Sequence, residues 1–355
     1  MPDVADHGGR VHEAARRWGV SRSQILDFSA NINPMGPPPG AALACQRAQV
    51  DCYPDQTEFI AALSRKFNLG ADSLVLGNGS SALIFAAIRA LRPGRALLLE
   101  PAFGEYRRAL RASGVEVEAF LLKEEDSFIP DFGALTDAIR SGRYDVVILN
   151  SPHNPTGALY PKNQVLALAE ATERGRASLV VDEAFIDYAP EASLLPEAAQ
   201  WASVIVLRSL TKFYAIPGLR IGYAVCHPAL AKRVRAQIEA WAVSSIALDA
   251  ALAAISDSEY ERIARERNRS AREQFSLMLD RLPGVKPFPS AANFLLVKFD
   301  RIKGIELERW LHQHRILIRR CDVFAGLGDE FVRLAVRSPE DNLRLAQLIE
   351  SFILR

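Results

Sequence analysis

From Leu74 onward, short apolar runs alternate with amphipathic stretches, the pattern of strand-helix-strand units that build a mostly parallel sheet. Strands are expected at Leu74–Leu76, Ala96–Leu99, Val115–Leu121, Asp145–Leu149, Ser178–Val181, Ser203–Leu207 and Ile221–Val225. Helical periodicity fills Ala82–Leu91, Phe132–Arg140 and Gln164–Arg174 between several of them. The strand runs hold few polar residues, as strands do when helices cover both faces of their sheet. Past Ala229 the pattern changes to long charged amphipathic helices, including Ser258–Leu282, then strand-like Asn293–Val297, Ile316–Ile318 and Phe331–Val336, and a closing helix from Pro339. The expected class is therefore α/β: a large domain with a mostly parallel sheet flanked by helices, plus a smaller α+β domain. The first forty residues are rich in Pro and Gly, notably from Asn33 to Gly40, and read as an ordered arm packing on the small domain and the active site. The expected division is arm 1–40, large domain 41–240 and small domain 241–355.

Composition adds exclusions. At 355 residues the chain is long enough for a large core with a second one built around it. Lys plus Arg (43) nearly cancels Asp plus Glu (42), so no overall field draws nucleic acid or an anionic membrane. An anionic ligand has to be caught by a few placed residues. Cys45, Cys52, Cys226 and Cys321 show neither a paired spacing nor a metal-ligand spacing and read as buried, reduced thiols. Asp3, Asp6 and His7 stand where a secretory signal needs a basic end and an apolar run, and no stretch reaches membrane-spanning length. The expected location is the cytoplasm, with no membrane or nucleic-acid partner and no bound metal.

Three segments sit in chain order at the ends of expected strands, where open parallel sheets place their ligands. Asn150-Ser151-Pro152-His153-Asn154-Pro155-Thr156-Gly157 follows the first, and Asn154 can donate from a turn fixed by two prolines. Asp182-Glu183-Ala184-Phe185 follows the second, putting an acid where an unpaired charge is costly, so it either caps a helix or faces a cation. Ser209-Leu210-Thr211-Lys212 follows the third, with Arg220 beyond a Pro-Gly turn. Taken singly, an Asn-Pro is a turn and a lysine a solvated charge. A fourth segment, Gly77-Asn78-Gly79-Ser80-Ser81 before a helix, offers backbone N–H groups to a phosphate.

Together these segments resemble the pyridoxal-phosphate-dependent aminotransferase superfamily, fold type I, over nearly the whole chain. The resemblance implies that Lys212 holds pyridoxal 5'-phosphate as a Schiff base, that Asp182 pairs with the pyridine nitrogen, and that Asn154 bonds the ring's phenolic oxygen. It also implies that Gly79, Ser80, Ser81, Ser209, Thr211 and Arg220 cradle the phosphate and that Phe103 stacks on the ring. Tyr53 corresponds to a tyrosine that reaches the cofactor phosphate of the neighbouring subunit, which implies a homodimer with shared sites. Many relatives carry Tyr where Phe185 stands, so one hydrogen bond to the phenolic oxygen is expected to be missing.

Within the superfamily the chain is similar to histidinol-phosphate aminotransferases. Its arm, with His7-Gly8-Gly9 and Leu26-Asp27-Phe28-Ser29-Ala30-Asn31-Ile32-Asn33-Pro34, resembles the L-threonine O-3-phosphate decarboxylases of cobalamin synthesis more closely. That branch implies a phosphorylated amino acid as substrate, with His7 and Asn31 on its phosphate. Arg319 and Arg333 match family substrate contacts, and Asn154 also faces the substrate; guanidinium forks suit carboxylate or phosphate. Arg320 and Arg337 are expected to be solvated or structural, and His153 a turn residue. The alternatives are an aminotransferase using 2-oxoglutarate and, outside enzymes, a cofactor-bound regulator or scaffold. The complete set Lys212, Asp182, Asn154 and Arg220 argues against a scaffold.

Overall fold

The computed structural model describes residues 7–175 and 177–355. Its central strands are β1 Leu74–Gly77, β2 Arg95–Glu100, β3 Glu116–Leu121, β4 Val146–Asn150, β5 Ser178–Asp182, β6 Val204–Ser209 and β7 Gly222–Val225. They form one seven-stranded sheet in the order β1-β7-β6-β5-β4-β2-β3. Every pairing is parallel except those of β7, which runs against both its neighbours. Side chains alternate between the faces. Leu97, Leu99, Val147 and Val181 join one core with Leu135, Ile139 and Leu168 of helices Phe132–Arg140 and Lys162–Gly175. Leu98, Ile148, Val180 and Ile205 join the other with Leu83, Ala87 and Leu230 of helices Gly79–Leu91 and Pro228–Arg235. The apolar runs of the sequence thus reflect cover on both faces. The exception is β3, a half-exposed edge strand in which Glu116 and Glu118 replace the apolar residues of the interior.

The helix Gly104–Ala112 escapes the sequence pattern because its arginines dilute the apolar signal, although Tyr106, Ala109 and Leu110 form the expected buried stripe.

A second, four-stranded antiparallel sheet comprises β8 Val285–Pro287, β9 Phe294–Phe299, β10 Arg319–Arg320 and β11 Phe331–Ala335, in the order β10-β11-β9-β8. One face packs on Phe275 and Leu279 of helix Ser258–Asp280 and on Leu345 and Ile349 of helix Pro339–Ile353. Tyr260 and Ala264, early in helix Ser258–Asp280, instead join the core of the large sheet, as does helix Ser245–Ile255. Helix Ser258–Asp280 thus contributes side chains to both cores.

The N-terminal segment crosses both units. Leu26–Asp27 pairs in parallel with Ile316–Leu317. Phe28 O accepts from Ala335 N at 2.9 Å, and Asn33 N donates to Lys212 O at 3.1 Å. Among the described residues no helix is long and apolar enough to cross a membrane.

Candidate active site

Register brings the three strand-end segments to one edge. Asn150 closes β4 directly opposite Asp182, which closes β5, and Asp182 lies opposite Leu207 near the end of β6. A cavity of about 770 Å³ opens along this edge, roofed by the arm and the small sheet.

Asp182 lies at its floor, 2% exposed. Tyr106 Oη donates to Asp182 Oδ2 at 2.7 Å and Ala184 N to Oδ1 at 2.9 Å. Burial pushes this carboxyl up to about 6, against the pull of Tyr106, the Ala184 N–H and Lys212. Asn150 Nδ2 donates to the Asp182 carbonyl at 2.6 Å, and its Oδ1 accepts from Asn154 N at 2.7 Å, so one side chain ties the second segment to the first. Lys212 faces the same cavity. Desolvation, with Arg333 and Arg220 nearby, lowers its ammonium to about 8, so at neutral pH an appreciable fraction is free amine.

The second wall gathers hydrogen-bond donors. Ser80 and Ser81, in the first turn of helix Gly79–Leu91, reach the cavity beside Ser209, Thr211 and Arg220. Ser209 Oγ and Thr211 Oγ1 are 2.8 Å apart. Gly79 has φ +78°, and a Cβ there would stand 2.5 Å from Arg220 Nη2. A Cβ at Gly222 would meet Arg208 O at 2.5 Å and Ser80 N at 2.9 Å. Both glycines let β7, the helix start and the guanidinium converge on one spot.

The third wall comes from the arm and the small sheet. Asn31 is 3% exposed, faces the cavity, and its Oδ1 has no hydrogen-bond partner. Arg333, from β11, donates through Nη1 to Asn154 Oδ1 at 2.6 Å and through Nη2 to Ser29 O at 2.9 Å. Its buried Nε is unpartnered, and burial lowers its ionisation to about 10. Because Arg333 occupies the Asn154 oxygen, the amide nitrogen of Asn154 is the group left to donate into the cavity. Arg319, from β10, lies 5.4 Å from the Phe324 ring centroid. His7 and Phe103 stand at the mouth with ring centroids 5.5 Å apart.

Thirteen of the fifteen residues singled out by sequence therefore line one cavity. Gly79 lies behind its wall. Tyr53 lies elsewhere, 74% exposed and stacked on Trp241 at 4.2 Å. His153 is a core histidine, bonded to Thr156 at 2.8 Å and pushed down to about 3 by burial. Arg320 sits beside Glu308 and Asp322, and Arg337 bonds Asp341. Sequence reasoning missed Tyr106, Asn150 and Glu105. The apolar spacing of Tyr106, Ala109 and Leu110 marks a helix, but nothing local ties Tyr106 to an acid 76 positions away.

A lysine of lowered basicity, a strand-end acid and a group of hydroxyl and guanidinium donors, gathered in one cavity at the carboxyl edge of a helix-covered sheet, fit an enzyme of fold type I. The chain belongs to the family aminotransferase class I and II, whose model matches residues 23–349. It is 38% identical over 98% of its length to the threonine-phosphate decarboxylase of Salmonella typhimurium, covering 96% of that protein. Among solved structures it is similar to L-threonine-O-3-phosphate decarboxylase from Porphyromonas gingivalis, at TM-score 0.81 and 26% identity over 93% of this chain and all (100%) of that one. It is also similar to histidinol-phosphate aminotransferase from Sinorhizobium meliloti in complex with pyridoxal-5'-phosphate, at TM-score 0.84 and 25% identity over 97% and 94% of the two chains.

Proposed function

We propose that the chain uses pyridoxal 5'-phosphate to convert L-threonine O-3-phosphate into (R)-1-amino-2-propanol O-2-phosphate and carbon dioxide, a reaction of cobalamin synthesis. The residues fit this cofactor. The Gly79 cradle, which a Cβ would fill, suits its phosphate, Asp182 its ring nitrogen, the free amide nitrogen of Asn154 its phenolic oxygen, and Lys212 its aldehyde. When bound, it supplies an electron-accepting ring that weakens whichever substrate Cα bond stands perpendicular to it.

The protein's share is placement and proton traffic. Tyr106 and the Ala184 N–H keep Asp182 ionised against its burial, so a positive ring nitrogen finds a charge. Lys212 Nζ, held near 8, can act as a nucleophile and later return a proton to the carbon that has lost carbon dioxide. Phe185 packs edge-on against Phe294 at 5.0 Å and offers no hydroxyl, which leaves Asn154 as the side-chain donor.

The observation that carries the substrate reading is a second anion-binding wall, made by Arg319, Arg333, Asn31 and His7, in the same cavity as the cradle. These groups would hold the substrate phosphate and so leave the substrate carboxylate without a guanidinium partner, the arrangement that would favour loss of carbon dioxide over transamination. The exposed Tyr53 supports a homodimer in which this residue completes the neighbour's cradle. Of the four cysteines expected to be buried, Cys226 and Cys321 are, whereas Cys45 is half-buried and Cys52 exposed; an exposed free thiol suits a reducing cytoplasm.

The test is incubation of cofactor-loaded protein with L-threonine O-3-phosphate and no keto acid. Catalytic release of carbon dioxide and an amino-alcohol phosphate is expected. Absence of release, with turnover of histidinol phosphate once 2-oxoglutarate is added, would assign an aminotransferase instead.

A further inference from the structure

Glu105 differs from an ordinary first-turn acid. It lies in the opening turn of helix Gly104–Ala112, where negative charge meets the positive helix end, yet it is 4% exposed. A buried carboxylate needs hydrogen-bonding or charged groups that answer it. Two do: His7 Nε2 lies 3.1 Å from Oε1, and Arg108 Nη1 lies 3.3 Å from each oxygen. Both partners line the cavity mouth. Arg107, on the same helix, is engaged by Glu100 at 2.6 Å and does not compete for Glu105.

The arm that carries His7 is fastened at a second point. Gly9 N donates to Ser29 Oγ at 2.9 Å, and Gly8 lies so close that a Cβ would stand 2.1 Å from Ser29 O, the oxygen that Arg333 also holds. Between Ser29 and Glu105 the imidazole is held at the cavity that Arg319 and Arg333 also line.

We propose that Glu105 is a positioning residue for phosphate recognition: it holds His7 through Nε2 and steadies Arg108, so that Nδ1–H and the guanidinium are presented to the substrate phosphate. The proposal rests on the reading of His7 as a phosphate ligand. With Nε2 taken by Glu105, Nδ1 is the ring's remaining hydrogen-bonding atom, and a phosphate oxygen facing it accepts from its N–H.

The experiment uses cofactor-loaded Glu105→Ala and Glu105→Gln with L-threonine O-3-phosphate as substrate and inorganic phosphate as competitor. Loss of one charge-assisted contact is expected to raise KM and the phosphate inhibition constant together by about tenfold or more in Glu105→Ala, and less in Glu105→Gln. The value of kcat should fall less than about threefold, and the visible absorbance of the bound cofactor should stay unchanged, because the contact serves binding alone. The double variant His7→Ala/Glu105→Ala should lose less than the sum of the two single losses, since the His7 contact is counted in both and only the Arg108 contact is lost anew. Additive losses, or a normal KM in both Glu105 variants while His7→Ala raises it, overturn the role of Glu105 alone. A normal KM and phosphate inhibition in His7→Ala overturn the phosphate reading of His7, and this proposal with it.

Discussion

Lys212 is held where its charge is unwelcome, because desolvation and two arginines lower it to about 8 while the unfolded chain keeps the ordinary 10.5. Between those values the unfolded chain binds more protons than the folded one, so stability rises with pH across that window; below about 8 the penalty is present in full. Cofactor-free Lys212→Met is therefore expected to melt a few degrees above the parent at pH 7, with the gap closing by about pH 10.5. Calorimetry across that range checks it; a constant gap would mean that the ammonium is not strained. The same variant should lose both turnover and the visible absorbance of bound cofactor. Lys212, Asp182 and Asn154 were legible in the sequence because each follows an apolar strand run in a recognisable segment. Tyr106 was not, since its bond to Asp182 exists only after two strands and a helix have packed.

At the level of elements, strand placement was readable because burial on both faces turns strands into unbroken apolar runs, with ends falling within a residue or two of those expected. The antiparallel direction of β7 was not readable, since direction leaves no mark on hydrophobicity. The cradle depends on the close approach of β7 to the start of helix Gly79–Leu91, and the sequence showed this only as small residues before a helix. Gly79→Ala tests it. An L residue at φ +78° is strained by about 1–2 kcal/mol, and the new Cβ would displace the Arg220 guanidinium. Cofactor affinity should fall by about tenfold or more, read as the dissociation constant from visible absorbance, while Ala at Gly218, around which no heavy atom lies within 4 Å of a built Cβ, should change it little. Equal affinities in the two variants would show that the approach of Arg220 to Gly79 is not needed for binding.

Of the two singled-out residues that do not line the cavity of a single chain, Gly79 adjoins it through Ser80 and Arg220, and Tyr53 does not. Tyr53 stands outside, 74% exposed and stacked on Trp241, itself 55% exposed. Two large aromatic rings left to solvent are costly for a monomer and ordinary for a surface that meets a second copy. Association between chains leaves no periodicity in a sequence, so only the motif around Tyr53 pointed this way. If Tyr53 serves the neighbouring site, Tyr53→Ala weakens cofactor binding, and Lys212→Ala abolishes turnover, yet each lesion falls on a different subunit's site. In a hybrid of the two, one site carries both lesions and the other carries none. Unfolding and refolding the variants together at equal amounts should leave about a quarter of all sites whole, with affinity and turnover per whole site equal to the parent's. If Tyr53 acts within its own chain, no site in any hybrid is whole, and the mixture stays at the average of the two variants.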